Sequence, residues 1–318
     1  ARPKEIDVGL REAGVSGAGA CNAEVMVVCG GGSVIDTGKA VAALVPTTRP
    51  MLDHLEEVGL GAPLDHAPLP FIAIATTAGT GAEVTKNAVT AVPQARRKVS
   101  LRDARMVADV AIVDPALTDG APWPVTLASG PDAVTQVIEP YVSTKANPRT
   151  DARCRDAIPR GLQALGRLRA GDSPEARDDL ALVSLFGGLA LANAALGAVH
   201  GLAGPIGGMA SAPHGAVCGR LLPFVLARNA DRATGETALR LLQVRGWIAD
   251  AMGGAPDEAP QTLMTWARDA GLPGLTEMGV ADADLEALAE AAVASSSMKG
   301  NPVPLDVADL VAVMRDAA

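Results

Sequence analysis

The chain has 318 residues, a formal net charge of -9, 48% hydrophobic and 20% charged residues, and only 2% aromatics. That length exceeds the size at which one core usually stops growing, so two domains are expected, and the composition fits a folded globular protein and argues against disorder. The negative charge argues against a nucleic-acid partner, because phosphate binding needs a basic face.

No purely apolar run reaches the roughly 18 residues that a membrane span needs. The opening stretch Ala1–Gly14 reads as a polar amphipathic helix and not as a signal peptide, so a cytoplasmic protein is expected. The four cysteines, Cys21, Cys29, Cys154 and Cys218, form no CxxC pair and no zinc-ribbon spacing. Buried free thiols are the expected reading.

Glu24–Cys29 is a short apolar run closed by three glycines, which predicts a buried parallel strand. After the glycines, Ser33 is placed to cap a helix through Val34, Ile35, Lys39, Val41 and Leu44. Strand, glycine turn and helix make the βα unit of a doubly wound sheet. Phe71–Ala75 predicts a second strand, running into the small-residue loop 76–81, and Ala111–Val113 a third, closed by Asp114-Pro115. A nucleotide-binding sheet normally has strands before the glycine turn. Either this domain is unusually small or further residues precede Ala1.

From about Pro124 the texture changes to Ala/Leu-rich stretches of helical period. Helices are predicted over 125–142, 151–169, 178–198, 216–228, 236–252, 259–270, 282–294 and 305–317, with Asp282 and Asp306 as caps. The expected architecture is an α/β domain over 1–117 and an all-α domain over 118–318.

Three constellations could carry chemistry. Gly30-Gly31-Gly32-Ser33 lies between strand and helix, where missing side chains and a helix N-terminus suit a diphosphate. A plain tight turn is the alternative. Thr76, Thr77, Thr80 and Thr85 follow the carboxyl end of a strand, where open α/β sheets bind ligands. Asp132 and Gln136 lie one turn apart on a helix, and His200 and His214 follow in Gly/Pro-flanked segments. One carboxylate, one amide and two imidazoles make a plausible divalent-metal set, although either histidine alone could be a packing residue. His54 and His66 carry no assigned role. The basic run Arg96, Arg97, Lys98, Arg102 and Arg105 stands apart from the acidic background.

The strings GGGSVIDTGKA (30–40), TTAGTGAEVTKNAV (76–89), AIVDPALT (111–118), ASGPDAVTQVIEPYVS (128–143), LGAVHGLAGPIGG (196–208) and APHGAVCGRLLPFVLARN (212–229) resemble, in order and spacing, the signature segments of the iron-containing alcohol dehydrogenases. The tail SMKGNP (297–302) resembles that family's closing motif, so the resemblance runs from about residue 20 onward. It implies a dehydroquinate synthase-like architecture, with a dinucleotide-binding α/β domain, a helical domain and a cofactor-filled cleft between them. It also implies a homodimer acting on a small alcohol, aldehyde or ketone, with NAD or NADP and a divalent metal, iron or zinc.

Carried over position by position, the resemblance gives the diphosphate to Gly31, Gly32 and Ser33, with Asp36 in the same motif. Thr76, Thr77, Thr80 and Thr85 line the diphosphate and nicotinamide ribose, Lys98 reaches the cofactor, and Leu117 packs near the nicotinamide end. Asp132, Gln136, His200 and His214 occupy the metal-ligand positions, and Asp132, His200 and His214 are the expected catalytic set. Two departures stand out. Gln136 replaces a histidine, which weakens the donor set. Gly204 replaces a histidine placed to relay protons. The acidic residue that helps choose between NAD and NADP has no counterpart here. Three alternatives remain open at this point: a lyase like dehydroquinate synthase, an oxo-acid reductase of the maleylacetate type, which calls for an arginine in the cleft (Arg153, Arg155 or Arg160), and a metal-free binding protein.

Overall fold

The computed structural model describes residues 7–56, 58–95, 97–210 and 212–318. Arg96, one member of the basic run, falls outside them. The first half contains α1 (Val8–Ala20), β1 (Met26–Gly30), α2 (Gly32–Leu44), the short α3 (Met51–His54), β2 (Phe71–Ala75), β3 (Asn87–Val92), β4 (Arg97–Arg102) and β5 (Val110–Ile112).

Three of these strands form a parallel sheet in the order β1-β2-β5, with Val28 opposite Ala73 and Ile74 opposite Ile112. Helix α2 covers one face. Its Ile35 and Ala42 pack with Phe71, Ala73 and Ala75. The other face is open: Val27, Val110 and Ile112 are about half exposed. This corrects the expectation of fully buried strands, since β1 alternates with its Val27 and Cys29 side exposed. Cys21 and Cys29 are therefore exposed thiols, and only Cys154 and Cys218 are buried.

The opposite side of α2 rests on a hairpin that the sequence reading did not anticipate. β3 and β4 pair antiparallel, with Ala88 opposite Leu101. Ala40, Ala43 and Leu44 of α2 share a core with Ala88, Val99 and Leu101. The basic run is thus largely strand β4, in which Val99 and Leu101 point inward, Lys98 and Arg102 lie on the opposite face, and Arg97 is exposed at the strand end.

The second half is helical: α4 (Trp123–Val142), α5 (Pro148–Ala170), α6 (Pro174–Ala194), α7 (Ala198–Ala210), α8 (His214–Arg232), α9 (Gly235–Met252), α10 (Ala259–Asp269), α11 (Leu285–Ala294) and α12 (Val307–Asp316). Helix α4 runs through the middle against α5, α6 and α8, and every residue from Gly130 to Val142 is buried. A helix enclosed on all sides has no solvated face, so any polar group on it must find a partner inside.

Several boundaries differ from expectation. Helices α5 and α6 start three or four residues early because Asn147 and Ser173 cap them, each followed by a proline at the first helical position. There the missing N–H costs nothing. The expected helix 178–198 is broken: α6 ends at Ala194, Ala195 takes φ 58°, and α7 leaves at 102°. Gly31, with no side-chain cap, precedes α2, so Ser33 lies inside the first turn and is not the cap. Asp282 sits in a 3-10 turn and pairs with Arg315 at 3.3 Å, so it does not cap α11. Asp306 caps α12 as expected, accepting from the Asp309 N–H. Among the described residues no single helix is long and apolar enough to cross a membrane.

A candidate metal centre facing a cofactor cleft

A cavity of about 770 Å³ separates the two halves. One wall carries Gly32, Ser33, Asp36, Thr80, Thr85 and Lys98, and the other carries Asp132, Gln136, His200, Gly204 and His214. The first turn of α2 meets the cavity without a side-chain cap, so the Gly32 and Ser33 N–H groups have no helical acceptor and suit an anion. A Cβ built on Gly32 would sit 2.6 Å from Thr80 Oγ1, so glycine there lets the two loops touch.

The structure brings some predicted residues into this wall and leaves others out. Gly31, Thr76, Thr77 and Leu117 do not line the cavity. Gly31 abuts Thr77, and Leu117 lies exposed on a 3-10 turn. Asp36 accepts from the Val89 N–H at 3.0 Å and so anchors β3 to α2. The Thr85 hydroxyl is already committed, donating to Ala82 O and accepting from Lys39. Lys39 is buried and donates to Ala82 O at 2.6 Å, Thr85 O at 2.7 Å and Asn87 O at 3.0 Å. It staples α2 to the segment after the threonine loop. Lys98 runs along α7, where a Cβ on Gly207 would approach its Nζ to 2.5 Å. Arg153, Arg155 and Arg160 are on α5 outside the cavity, whereas Arg97 and Arg102 line it.

At the floor, donor atoms of Asp132, His200, His214 and Cys218 all lie within 4.8 Å of one another. Three helices deliver them. Asp132 comes from α4, His200 from α7, and His214 and Cys218 from one face of α8. Close approach is built in: a Cβ on Gly215 would fall 2.2 Å from Ala128 O and 2.9 Å from Asp132 Cβ. Only glycine lets the start of α8 press against α4.

His200 is gripped from behind. Its Nδ1 lies 2.6 Å from Glu139 Oε2, and Glu139 Oε1 accepts from the Val199 N–H at 2.7 Å. Asn301 Oδ1 accepts from the Ala198 N–H at 3.0 Å. Together Glu139 and Asn301 satisfy the first donors of α7, which otherwise starts with no capping side chain of its own. Gly197 makes room for both: a Cβ there would meet each at 2.9 Å. This gives the closing motif a physical purpose, because Asn301 belongs to it.

The two atoms this arrangement leaves over are informative. Asp132 Oδ1 and His200 Nε2 are buried, 3.2 Å apart, and neither has a well-formed hydrogen bond. Buried polar atoms are rarely left so, because each costs its desolvation. Two orphaned donors converging with His214 and Cys218 fit a bound cation. Burial alone would raise the Asp132 carboxyl, but the neighbouring imidazoles of His200, at 3.2 Å, and His214 hold it below its usual value. Burial alone would lower His200, and the Glu139 and Asp132 carboxylates on either side of the ring outweigh it, holding the imidazole well above its ordinary value. Burial pushes His214 down to about 4 and the Cys218 thiol up to about 12.

Gln136 is also buried, but its Nε2 donates to Thr80 O at 2.7 Å. The amide therefore ties α4 to the threonine loop. Ser184 of α6 does the same, its Oγ accepting from the Gly79 and Gly81 N–H groups at 2.8 and 3.3 Å. Sequence reasoning missed Glu139, Cys218, Ser184 and Asn301. Spacing held a signal for two of them: Glu139 lies two turns beyond Asp132, and Cys218 one turn beyond His214.

This pairing of an uncapped helix start with a buried carboxylate–imidazole cluster fits the class of enzymes that combine a nucleotide cofactor with a metal ion. Residues 3–115 match the family model of the iron-containing alcohol dehydrogenases, and residues 126–318 match that of the C-terminal part of the same family. The chain belongs to the iron-containing alcohol dehydrogenase family. It is 35% identical over 298 residues to a lactaldehyde reductase of Escherichia coli strain K12, covering 93% of this chain and 77% of that protein. It is 32% identical over 301 residues to an NAD-dependent methanol dehydrogenase of Bacillus methanolicus, covering 93% and 77%. The solved structure of a 1,3-propanediol oxidoreductase superposes with a TM-score of 0.88 at 29% identity, covering 99% of this chain and 82% of that one. The chain is thus an oxidoreductase of this family, and the lyase alternative gives way.

Proposed function

We propose that the protein interconverts a small alcohol and its aldehyde or ketone, using NAD or NADP and a divalent metal, iron or zinc, held on the cavity floor. The observation that carries this reading is the orphaned pair Asp132 Oδ1 and His200 Nε2, facing a cavity whose opposite wall is the uncapped start of α2. When bound, the nicotinamide supplies the hydride-accepting or hydride-donating carbon and the metal supplies Lewis acidity toward the substrate oxygen.

The chain's own residues do the rest. Asp132, His200 and His214 supply donors, with Gln136 beside them on the cavity wall. Glu139 fixes the His200 ring so that Nε2 faces the floor. Gly32 and Ser33 offer backbone N–H groups to the cofactor diphosphate, and Gly31 keeps the turn tight before them. Thr76 and Thr77 support that turn from below, and Thr80, Thr85, Asp36 and Lys98 border the cofactor's path. Leu117, exposed on its 3-10 turn outside the cavity, is assigned to the nicotinamide end by the family resemblance alone. At Gly204 a Cβ would meet nothing within 4 Å, so the cavity beside His200 is wide enough for water. The alcohol proton leaves to water there. We place the domain boundary at 117/118, assign a homodimer and a cytoplasmic location, and expect no nucleic-acid or membrane partner.

The test is metal analysis of protein purified without chelator, together with NADH and NADPH oxidation using short aldehydes. About one metal per chain, with activity abolished by chelation and restored by zinc or iron, is the expected result. Full activity in exhaustively chelated protein would remove the metal from the mechanism. A second reading, oxo-acid reduction, draws on Arg97, Lys98 and Arg102 along the cavity. Aldehydes of matched size with and without a carboxylate separate the two.

A further inference from the structure

We propose that Cys218 is a metal ligand, so that the centre is built from two imidazoles, one carboxylate and one thiolate, with the thiolate standing where Gln136 supplies no strong donor. The inference rests on the metal reading given above and specifies its donor set.

Four observations support it. The Cys218 sulfur converges with Asp132, His200 and His214 within 4.8 Å and lies 3.7 Å from His214 Nε2. Asp132 Oδ1 and His200 Nε2 are orphaned in the same spot, so the cluster lacks a central partner and Cys218 does not stand alone. Cys218 follows His214 by one helical turn on α8, which directs both side chains to the same side. Gln136, the other candidate for the fourth donor, has its amide nitrogen committed to Thr80 O, which leaves only a neutral amide oxygen.

The placement also suits catalysis. Asp132, His200 and His214 line the cavity, whereas Cys218 is fully buried and does not. The thiolate closes the side facing the protein interior, and the cavity side stays open for substrate. On binding, the thiol S–H bond breaks, a sulfur–metal bond forms, and the proton passes to solvent. A soft thiolate shifts preference toward zinc and away from hard cations such as magnesium or manganese.

Cobalt(II) is the probe, because a thiolate ligand gives a sulfur-to-cobalt charge-transfer band in the near ultraviolet that nitrogen and oxygen donors do not. The chelator-stripped full chain loaded with one equivalent of cobalt should show that band together with visible ligand-field bands. Cys218→Ser should lose the charge-transfer band, keep visible bands, and bind zinc at least about 10-fold more weakly, the lower end of the loss that even an outer partner of a metal ligand causes. Cys21→Ser and Cys29→Ser, which alter the two exposed thiols, should keep the band. Wild-type protein that binds cobalt without the near-ultraviolet band overturns the inference and leaves the metal reading standing, whatever the variant does. A band that persists in folded Cys218→Ser overturns it equally. Failure of the wild type to bind cobalt or zinc at all overturns both.

Discussion

Glu139→Gln isolates one electrostatic detail. Both carboxylate oxygens of Glu139 act as acceptors, one from the Val199 N–H and one from His200 Nδ1, and the residue is almost wholly buried. Glutamine keeps the shape but has one acceptor and one donor end. Its oxygen can serve Val199 or His200, and its NH2 then faces an N–H. One buried donor is left unsatisfied, which costs about 1–3 kcal/mol. If the imidazole escapes by moving its proton to Nε2, the atom facing Asp132 loses its lone pair to that proton. The ring can then no longer offer a metal the same donor. Metal affinity should fall about 10–100-fold, as for the loss of a carboxylate behind a ligating histidine. Competition with a chromophoric chelator reads the affinity, and urea unfolding of the apo-protein reads the stability. A folded Glu139→Gln protein with wild-type zinc affinity would show that Glu139 does not position His200 for a ligand.

Three further outcomes follow from the same geometry. Gly32→Val, whose Cβ would sit 2.6 Å from Thr80 Oγ1, should weaken NADH binding more than about 10-fold by fluorescence titration while far-ultraviolet circular dichroism stays unchanged. Ser184→Ala removes the acceptor for the Gly79 and Gly81 N–H groups and should cost about 1–2 kcal/mol of stability and raise the KM for the cofactor; an unchanged KM would separate the loop from cofactor binding. The Arg105 side chain holds the Asp103 carboxyl down at about 2, against 3.8 ordinarily. The depressed value means that its contribution is complete above about pH 4 and disappears as pH falls toward 2, so the stability gap between wild type and Asp103→Asn should close over that window from about 1–2 kcal/mol, the full shift being reduced for the half-exposed arginine; a gap that does not vary with pH would refute the ion-pair account.

The glycine turn, the second strand and the long helices were readable because each is a local pattern. Period and punctuation suffice for Phe71–Ala75 or for the Asp306 cap. The hairpin β3–β4 was not readable in the same way, because its second strand begins with Arg97 and Lys98 and the charge drew attention from the alternation beneath it. The α6–α7 break hid in an alanine-rich run with no proline, its sharpest feature being the positive φ of Ala195. The open face of the sheet could not be read from β1 either, since whether a neighbour covers Val27 and Cys29 is decided by tertiary packing. At the site, Asp132, His200 and His214 were legible through the family resemblance. Glu139 was not, because a glutamate two turns along a helix looks like a surface charge until the helix is known to be buried on every side.

That burial explains how one substitution at position 136 can be tolerated. Gln136 sits in the buried stretch of α4 at the cavity wall, so its amide needs partners whether or not it meets a metal. It finds one in Thr80 O, on the loop that borders the cofactor side of the cavity. Ser184 holds the same loop on either side of Thr80, through Gly79 and Gly81. The position therefore serves the join between the two halves of the molecule: helix α4 is tied to the threonine loop by a neutral hydrogen bond of about 1 kcal/mol, and no charge has to be buried to make it. An imidazole at 136 could donate to Thr80 O or face the floor through one nitrogen each, but its rigid ring sets both directions at once. The flexible amide meets the loop without disturbing the floor, where Cys218 already stands beside His214. Gln136→His thus makes a sharp distinction: if the loop tether dominates, cofactor KM changes and zinc affinity does not, whereas a gain in zinc affinity with unchanged KM would mean that position 136 serves the metal after all.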